Sequence, residues 1–223
     1  MNWKLIFAAT LSVIVLAIFI GLGTWQLQRM NWKAGVIAEI EAKIGAEPVA
    51  LPDAPSPETD KFLPVHFTGQ INAPYIRVLA SHRDFGAGYR IISPVTLTDG
   101  RRILLDRGFI RLSQALEHAP ASPLSLTGNL HWPEDRNAYT PDDDLAENIW
   151  FARDVEKMAM HLGTDPVFVI LRTQTDPALH PMPVTTESIP NRHLEYVGTW
   201  FLLAITWSVM TGFALWRMKR RNA

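Results

Sequence analysis

Few side chains in this 223-residue sequence are placed to do chemistry. Cysteine is absent, which excludes disulfides, thiolate metal sites and cysteine nucleophiles. Ser81-His82-Arg83-Asp84 holds the letters of a hydrolytic triad. Consecutive residues of a strand point to opposite faces, however, and cannot line up nucleophile, base and orienter. Asp142, Asp143 and Asp144 could meet calcium, but they lack the alternating spacing and the glycine of a calcium loop, so a solvated acidic loop is the better reading. Copper could use Met158, Met160 and His161, or His180 with Met182. Core methionines with a helix-end histidine explain the first group better. Glycines are scattered without a phosphate-cradling motif, and a formal net charge of −1 gives no footprint for nucleic acid.

One titratable ring resists such a bland account. His193 opens the apolar run NRHLEYVGTWFLLAITW, and at 100° per residue it lies within about 60° of Tyr196, Val197, Trp200, Ala204 and Trp207. Beside the other apolar run, Trp25, Gln26, Arg29 and Lys33 fall within about 100° of one another. Gly-Thr-Trp occurs in both places, at 23–25 and 198–200. A flat, apolar, dianionic ligand would use this set: the imidazole could ligate a haem iron, aromatic rings could cover the macrocycle, and Arg29 with Lys33 could pair with propionates. An aromatic belt with interfacial anchors, or helix packing, would use the same rings. Spacing leaves these readings open.

The elements that must position these residues are two charge-free stretches. Leu5–Trp25 and Tyr196–Trp216 each contain 21 residues without a charged side chain. A helix of that length covers about 31 Å, enough for the hydrocarbon core of a bilayer. The first run is about twice the usual signal-peptide core and no small-residue cleavage site follows it, so a retained anchor is expected. Lys4, Arg217, Lys219, Arg220 and Arg221 flank the runs on one side, where no acid occurs. The positive-inside rule then puts both termini in the cytoplasm. The expected organisation is a cytoplasmic head at 1–4, a first span at 5–25, an outward-facing β-rich domain at 26–193, a second span at 194–216 and a basic cytoplasmic tail at 217–223.

Between the runs, Val36, Ile37, Ile40 and Ile44 continue the first helix at helical spacing, Gly45 stops it, and LPDAPSP is a linker. Six short strands follow, at 62–71, 75–82, 89–98, 101–111, 123–132 and 167–172, with Asp84–Gly88 breaking the second from the third. Asp99-Gly100 marks a tight hairpin, and 152–163 reads as a helix ended by Gly163. The predicted fold is an α+β membrane protein: two transmembrane helices flanking a small, mostly antiparallel β domain, a sheet or open barrel, with one helix.

GTWQLQRMNWK, FTGQI, HRDFGAGYRIISPV, DGRRILLDRGFIR, TGNLHW, NIWFARDVEKMA and NRHLEYVGTWFLLA occur here in the order in which similar motifs occur in the Surfeit locus protein 1 family. The resemblance runs from about residue 20 to 210. It implies a cytochrome c oxidase assembly factor, not an enzyme, with two membrane helices around an outward domain. It further implies that haem a is bound and inserted into oxidase subunit I, with the haem a synthesis machinery and the lipid bilayer as the other partners. By the resemblance, His193 is the axial ligand of the haem iron, and Trp25, Gln26 and Arg29 match the family's W-Q-x-x-R; Tyr196 and Trp200 complete the candidate cofactor site. Phe109 stands where many relatives have Trp after Arg-Gly, and Arg192 and Glu195 add charges beside the histidine. A bacterial inner membrane, with the domain in the periplasm, is the expected location. The rival expectations are a haem-independent scaffold for an oxidase intermediate and an outward-facing two-span sensor or adaptor. The short basic tail speaks against the sensor.

Overall fold

In a computed structural model, which describes residues 3–114, 116, 122–187 and 189–221, the chain forms two compact units. One comprises Met1–Glu39 and Thr186–Ala223, the other Ile40–Thr185. The outermost residues of the expected head and tail, 1–2 and 222–223, lie outside the described residues.

The first unit is helical. Helix α1 spans Trp3–Ile44 and helix α4 spans His193–Arg221. Both are long and apolar enough to cross a membrane, and only 6% of the most apolar window of each is buried within the protein. That exposure rules out a soluble core helix and matches a helix solvated by lipid. Their hydroxyls are satisfied internally: Ser12 donates to Ala8 O at 2.8 Å, Thr199 to Glu195 O at 2.9 Å and Ser208 to Ala204 O at 2.7 Å. Such back-bonding keeps these three O–H groups paired in an apolar medium.

The second unit is a β domain. Its strands are β1 (Val49–Ala50), β2 (Pro64–Ile71), β3 (Ile76–His82), β4 (Gly86–Leu97), β5 (Arg102–Arg111), β6 (Leu124–Leu130), β7 (Ile149–Trp150) and β8 (Phe168–Leu171). Two short helices join them, α2 (Pro57–Asp60) and α3 (Val155–Leu162). The strand order is β1-β2-β6-β8-β5-β4-β3-β7, and β2 also pairs with β4. That extra pairing, Gly69↔Leu97 through Ile71↔Val95, closes β2, β6, β8, β5 and β4 into a ring. β3 extends β4 outside the ring as an antiparallel neighbour, so of the expected break Asp84–Gly88 only Asp84 and Phe85 are turn, and Gly86–Gly88 already belong to β4.

Alternation along the strands builds two apolar layers. Ile103 and Leu105 of β5, with Val169 and Leu171 of β8, join Val65 and Leu126 in one core. The intervening Leu104, Phe168 and Ile170 turn to the other side, where Met158 and Leu162 of α3 cover them. A period of two therefore fills the ring and docks the helix with the same strands. Asp154 caps α3 by accepting from Lys157 N, and Gly163 ends it in the left-handed region at φ 62°.

The β4–β5 hairpin carries Asp99-Gly100 as expected, but its loop is longer than a two-residue turn. Gly100 N donates to Leu97 O at 3.0 Å and Leu97 N to Arg101 O at 2.8 Å, and Gly100, not Asp99, takes the positive φ, at 89°. This is the three-residue form, a turn followed by a glycine in the left-handed region. The carboxylate of Asp99 accepts from Arg101 N and Nε, which holds its pKa below the usual carboxylate value.

Polar groups in this unit do specific jobs. Ile44 O, at the end of α1, accepts from Asn129 Nδ2 at 3.2 Å and from Arg172 Nη2, so orphan carbonyl capacity at the helix C-terminus is satisfied by side chains. Asp106, fully buried, accepts from Arg90 Nε at 2.6 Å and from Gly108 N at 3.0 Å. Arg90 also donates to Met182 O at 2.9 Å, and Phe109 exchanges backbone hydrogen bonds with His180 at 2.7 and 2.8 Å. The segment after β8 is thus strapped onto β5.

Candidate functional site

The antiparallel pairing of α1 and α4 is fixed by a ladder of contacts in which residue numbers rise on one helix as they fall on the other. Trp207 Nε1 donates to Ser12 O at 3.1 Å. The Phe19 ring lies 6.1 Å from Trp200 and edge-on to Trp207 at 6.5 Å. Gly23 lies under the ring of Phe201. His193 Nδ1 and Gln26 Oε1 are 2.7 Å apart, and Lys33 Nζ donates to Pro190 O, three residues before α4 begins.

The structure brings His193 and Gln26 together and distributes the other candidates. A side-chain carbonyl oxygen only accepts, so Nδ1 is the donor in the His193–Gln26 bond, and in a neutral imidazole the lone pair is then on Nε2. Trp200 is half-buried and packs on Phe19, within the helix seam. Trp25 and Tyr196 are exposed, at 54% and 56%. Arg29 lays its guanidinium over the Trp32 ring, 4.1 Å from the centroid, and has no acidic partner among the described residues. Lys33 is spent on a backbone carbonyl. Glu195 lies in the first turn of α4, where the helix dipole favours an anion.

Three partners escape the sequence reading: Phe19, Trp32 and Phe201. Trp32 carries a signal, since it follows Arg29 by three residues on a helix, the spacing at which side chains meet. Phe19 and Phe201 carry none, because one more aromatic in an apolar run is unremarkable.

A haem would need an unengaged donor nitrogen, cationic groups and apolar rings. His193 fits, because its Nδ1 is occupied in the manner that holds ligating histidines in other metal sites, leaving Nε2 as the donor. Arg29 fits as a cation with no acid beside it among the described residues. Trp25, Trp32 and Tyr196 supply exposed aromatic surface. Trp207 does not, since its ring and N–H are committed to α1.

Candidates in the β domain resolve into structural roles. His82 Nδ1 accepts from Asp84 N at 3.1 Å, and its ring stacks on Phe85 at 4.6 Å. His180 also meets Phe85, at 4.2 Å, and Met182 S accepts from Arg90 at 3.6 Å. Met158 is buried on the inner face of α3 whereas Met160 is 84% exposed, and His161 stands edge-on to Trp150 at 5.5 Å. Asp143 accepts from Arg136 and from Phe151 N, and Asp144 from Glu147 N. Among the described residues no group of three or more His, Cys, Asp or Glu could hold a metal ion.

Two helices long and apolar enough to cross a membrane, with a closed β ring between them in the chain, define a membrane protein with a β domain inserted between its spans in sequence. The SURF1 family model matches residues 13–205, and the chain belongs to that family. It is 33% identical to the SURF1-like protein of Monosiga brevicollis, over 96% of this chain and 87% of that protein. It is 29% identical to Surfeit locus protein 1 of Homo sapiens, over 85% of this chain and 71% of the relative. Against Surfeit locus protein 1 of Rattus norvegicus the identity is 28%, over 85% and 70% respectively.

Proposed function

We propose that this chain is a cytochrome c oxidase assembly factor that binds haem a at the start of α4 and assists its insertion into oxidase subunit I. Family membership supports the assembly role. The observation that carries the haem reading is the His193 ring, whose Nδ1 is engaged by Gln26 at 2.7 Å and whose Nε2 is left as the donor. In this reading haem a is cargo, delivered by the haem a synthesis machinery. His193 ligates its iron, Arg29 meets a propionate, and Trp25, Tyr196 and Trp200 offer rings near the macrocycle. The role is non-enzymatic. The chain sits in a bacterial inner membrane with both termini cytoplasmic and the β domain in the periplasm, where the site can pass cargo laterally through the bilayer.

The test is a side-by-side purification of the parent and His193→Ala from haem a-producing cells. The variant is expected at normal level with less haem or shifted absorption bands. Equal haem with unchanged spectra overturns the ligand assignment. No haem in either, with oxidase assembly still dependent on the protein, establishes a scaffold instead. The commitment of Trp200 and Trp207 to helix packing favours that second reading.

A further inference from the structure

We propose that Gln26 is a positioning residue: its side-chain carbonyl holds His193 in the tautomer that leaves Nε2 free for iron. The inference rests on the haem reading for its purpose, but its structural half stands on geometry alone. Neutral imidazole has one N–H and one lone pair, and whichever nitrogen donates is lost as a ligand. Free histidine favours the proton on Nε2, which would block that nitrogen. The 2.7 Å contact with Gln26 Oε1 reverses the preference by giving the proton an acceptor at Nδ1.

The contact is built, not incidental. Gly23, three residues before Gln26, meets Phe201, and Lys33, seven residues after it, meets Pro190 O. These contacts bracket the pair from both directions and fix the separation of the helices where the bond forms. Both partners are half-buried, so water competes weakly for Nδ1. A neutral amide is also the economical acceptor here, since a carboxylate would add a charge to be desolvated between two apolar helices. Gln26 thus acts on the iron through His193 and has no need to touch the macrocycle.

The experiment uses the full chain in detergent, labelled with 15N in its seven histidines. In haem-free protein, the His193 signals are assigned by their loss in His193→Ala, and their shifts report which nitrogen carries the proton. Haem a binding is then titrated by absorption. The parent should show the Nδ1–H tautomer. Gln26→Leu should shift the population toward Nε2–H and weaken haem a binding about tenfold, the usual scale for losing an outer hydrogen bond to a metal ligand. Gln26→Glu, which keeps an acceptor oxygen, should restore both the tautomer and the affinity. Parental ring shifts and parental affinity in Gln26→Leu overturn the inference, provided circular dichroism shows intact helices. The expected tautomer changes in a parent that binds no haem a would overturn the haem reading while leaving the orienting role of Gln26 in place.

Discussion

The ring of Phe201 rests on Gly23, with Cε2 and Cζ each 3.1 Å from where a Cβ would stand. No side chain fits there without moving the ring or separating the helices. Gly198, in the matching Gly-Thr-Trp of α4, has nothing within 4 Å of its Cβ position. The two copies of the motif are therefore not equivalent. Gly23→Leu should destabilise the helix pair by about 1–3 kcal/mol through overpacking, whereas Gly198→Leu should be near neutral. Thermal melts of the detergent-solubilised variants check this, and equal midpoints would refute the packing role of Gly23.

A second prediction concerns orientation. The chain has no cysteine, so single cysteines at Ser56, Ser122 and Asn222 report cleanly. With the inner membrane sealed and the outer one permeabilised, an impermeant thiol reagent should label the first two and spare the third. Labelling at Asn222 as strong as at Ser122 would overturn the two-span topology.

The β4–β5 hairpin gives a third. Gly100 has φ 89° and open space around its Cβ position, so replacing it costs backbone strain alone. Gly100→Val should cost on the order of 1–2 kcal/mol, and Gly100→Asn clearly less, because asparagine visits positive φ. Protease resistance and steady-state level of the variants provide the measurement. Val and Asn variants that behave alike would show that the turn does not depend on that φ.

These cases show why parts of the fold are legible from sequence. Charge-free runs of 21 residues announce α1 and α4, and Asp99-Gly100 announces a hairpin, because each signal is local. β1 and β7 are two residues long, too short for any period, and α2 is a single turn. Closure of the ring depends on Gly69 to Ile71 meeting Val95 to Leu97, a non-local pairing that no periodicity encodes. At the candidate site, an arc of about 40° gathers Tyr196 with Trp200 and Trp207, yet the helix seam cuts through that arc. Trp200 and Trp207 face Phe19 while Tyr196 stays exposed. The facing partner, not the spacing, decides.

The fourth prediction is a pH dependence. Burial, with the cations of Arg153 and Lys61 nearby, pushes the His131 imidazole down to about 4 from 6.5. Its ring stacks on Phe62 and its Nδ1 has no hydrogen-bond partner among the described residues. Above pH ~6.5 the ring is neutral whether folded or unfolded, and its contribution is fully present. Between pH ~6.5 and ~4 the unfolded chain takes up a proton that the folded chain refuses, so stability falls by up to about 3 kcal/mol. His131→Phe keeps a ring against Phe62 and should flatten this window. Denaturant midpoints followed by hydrogen exchange in the β domain test it, and an unchanged pH slope in the variant would rule out His131 as the source.

Gln26 and His193 are 167 positions apart, and everything between them, including the whole β domain, is synthesised first. While the ribosome is still making the ring of strands, Gln26 has no imidazole to orient. The hydrogen bond closes only when α4 arrives beside α1, so the pair forms after the β domain has been made, and a chain stalled or truncated within that domain holds only one half of it.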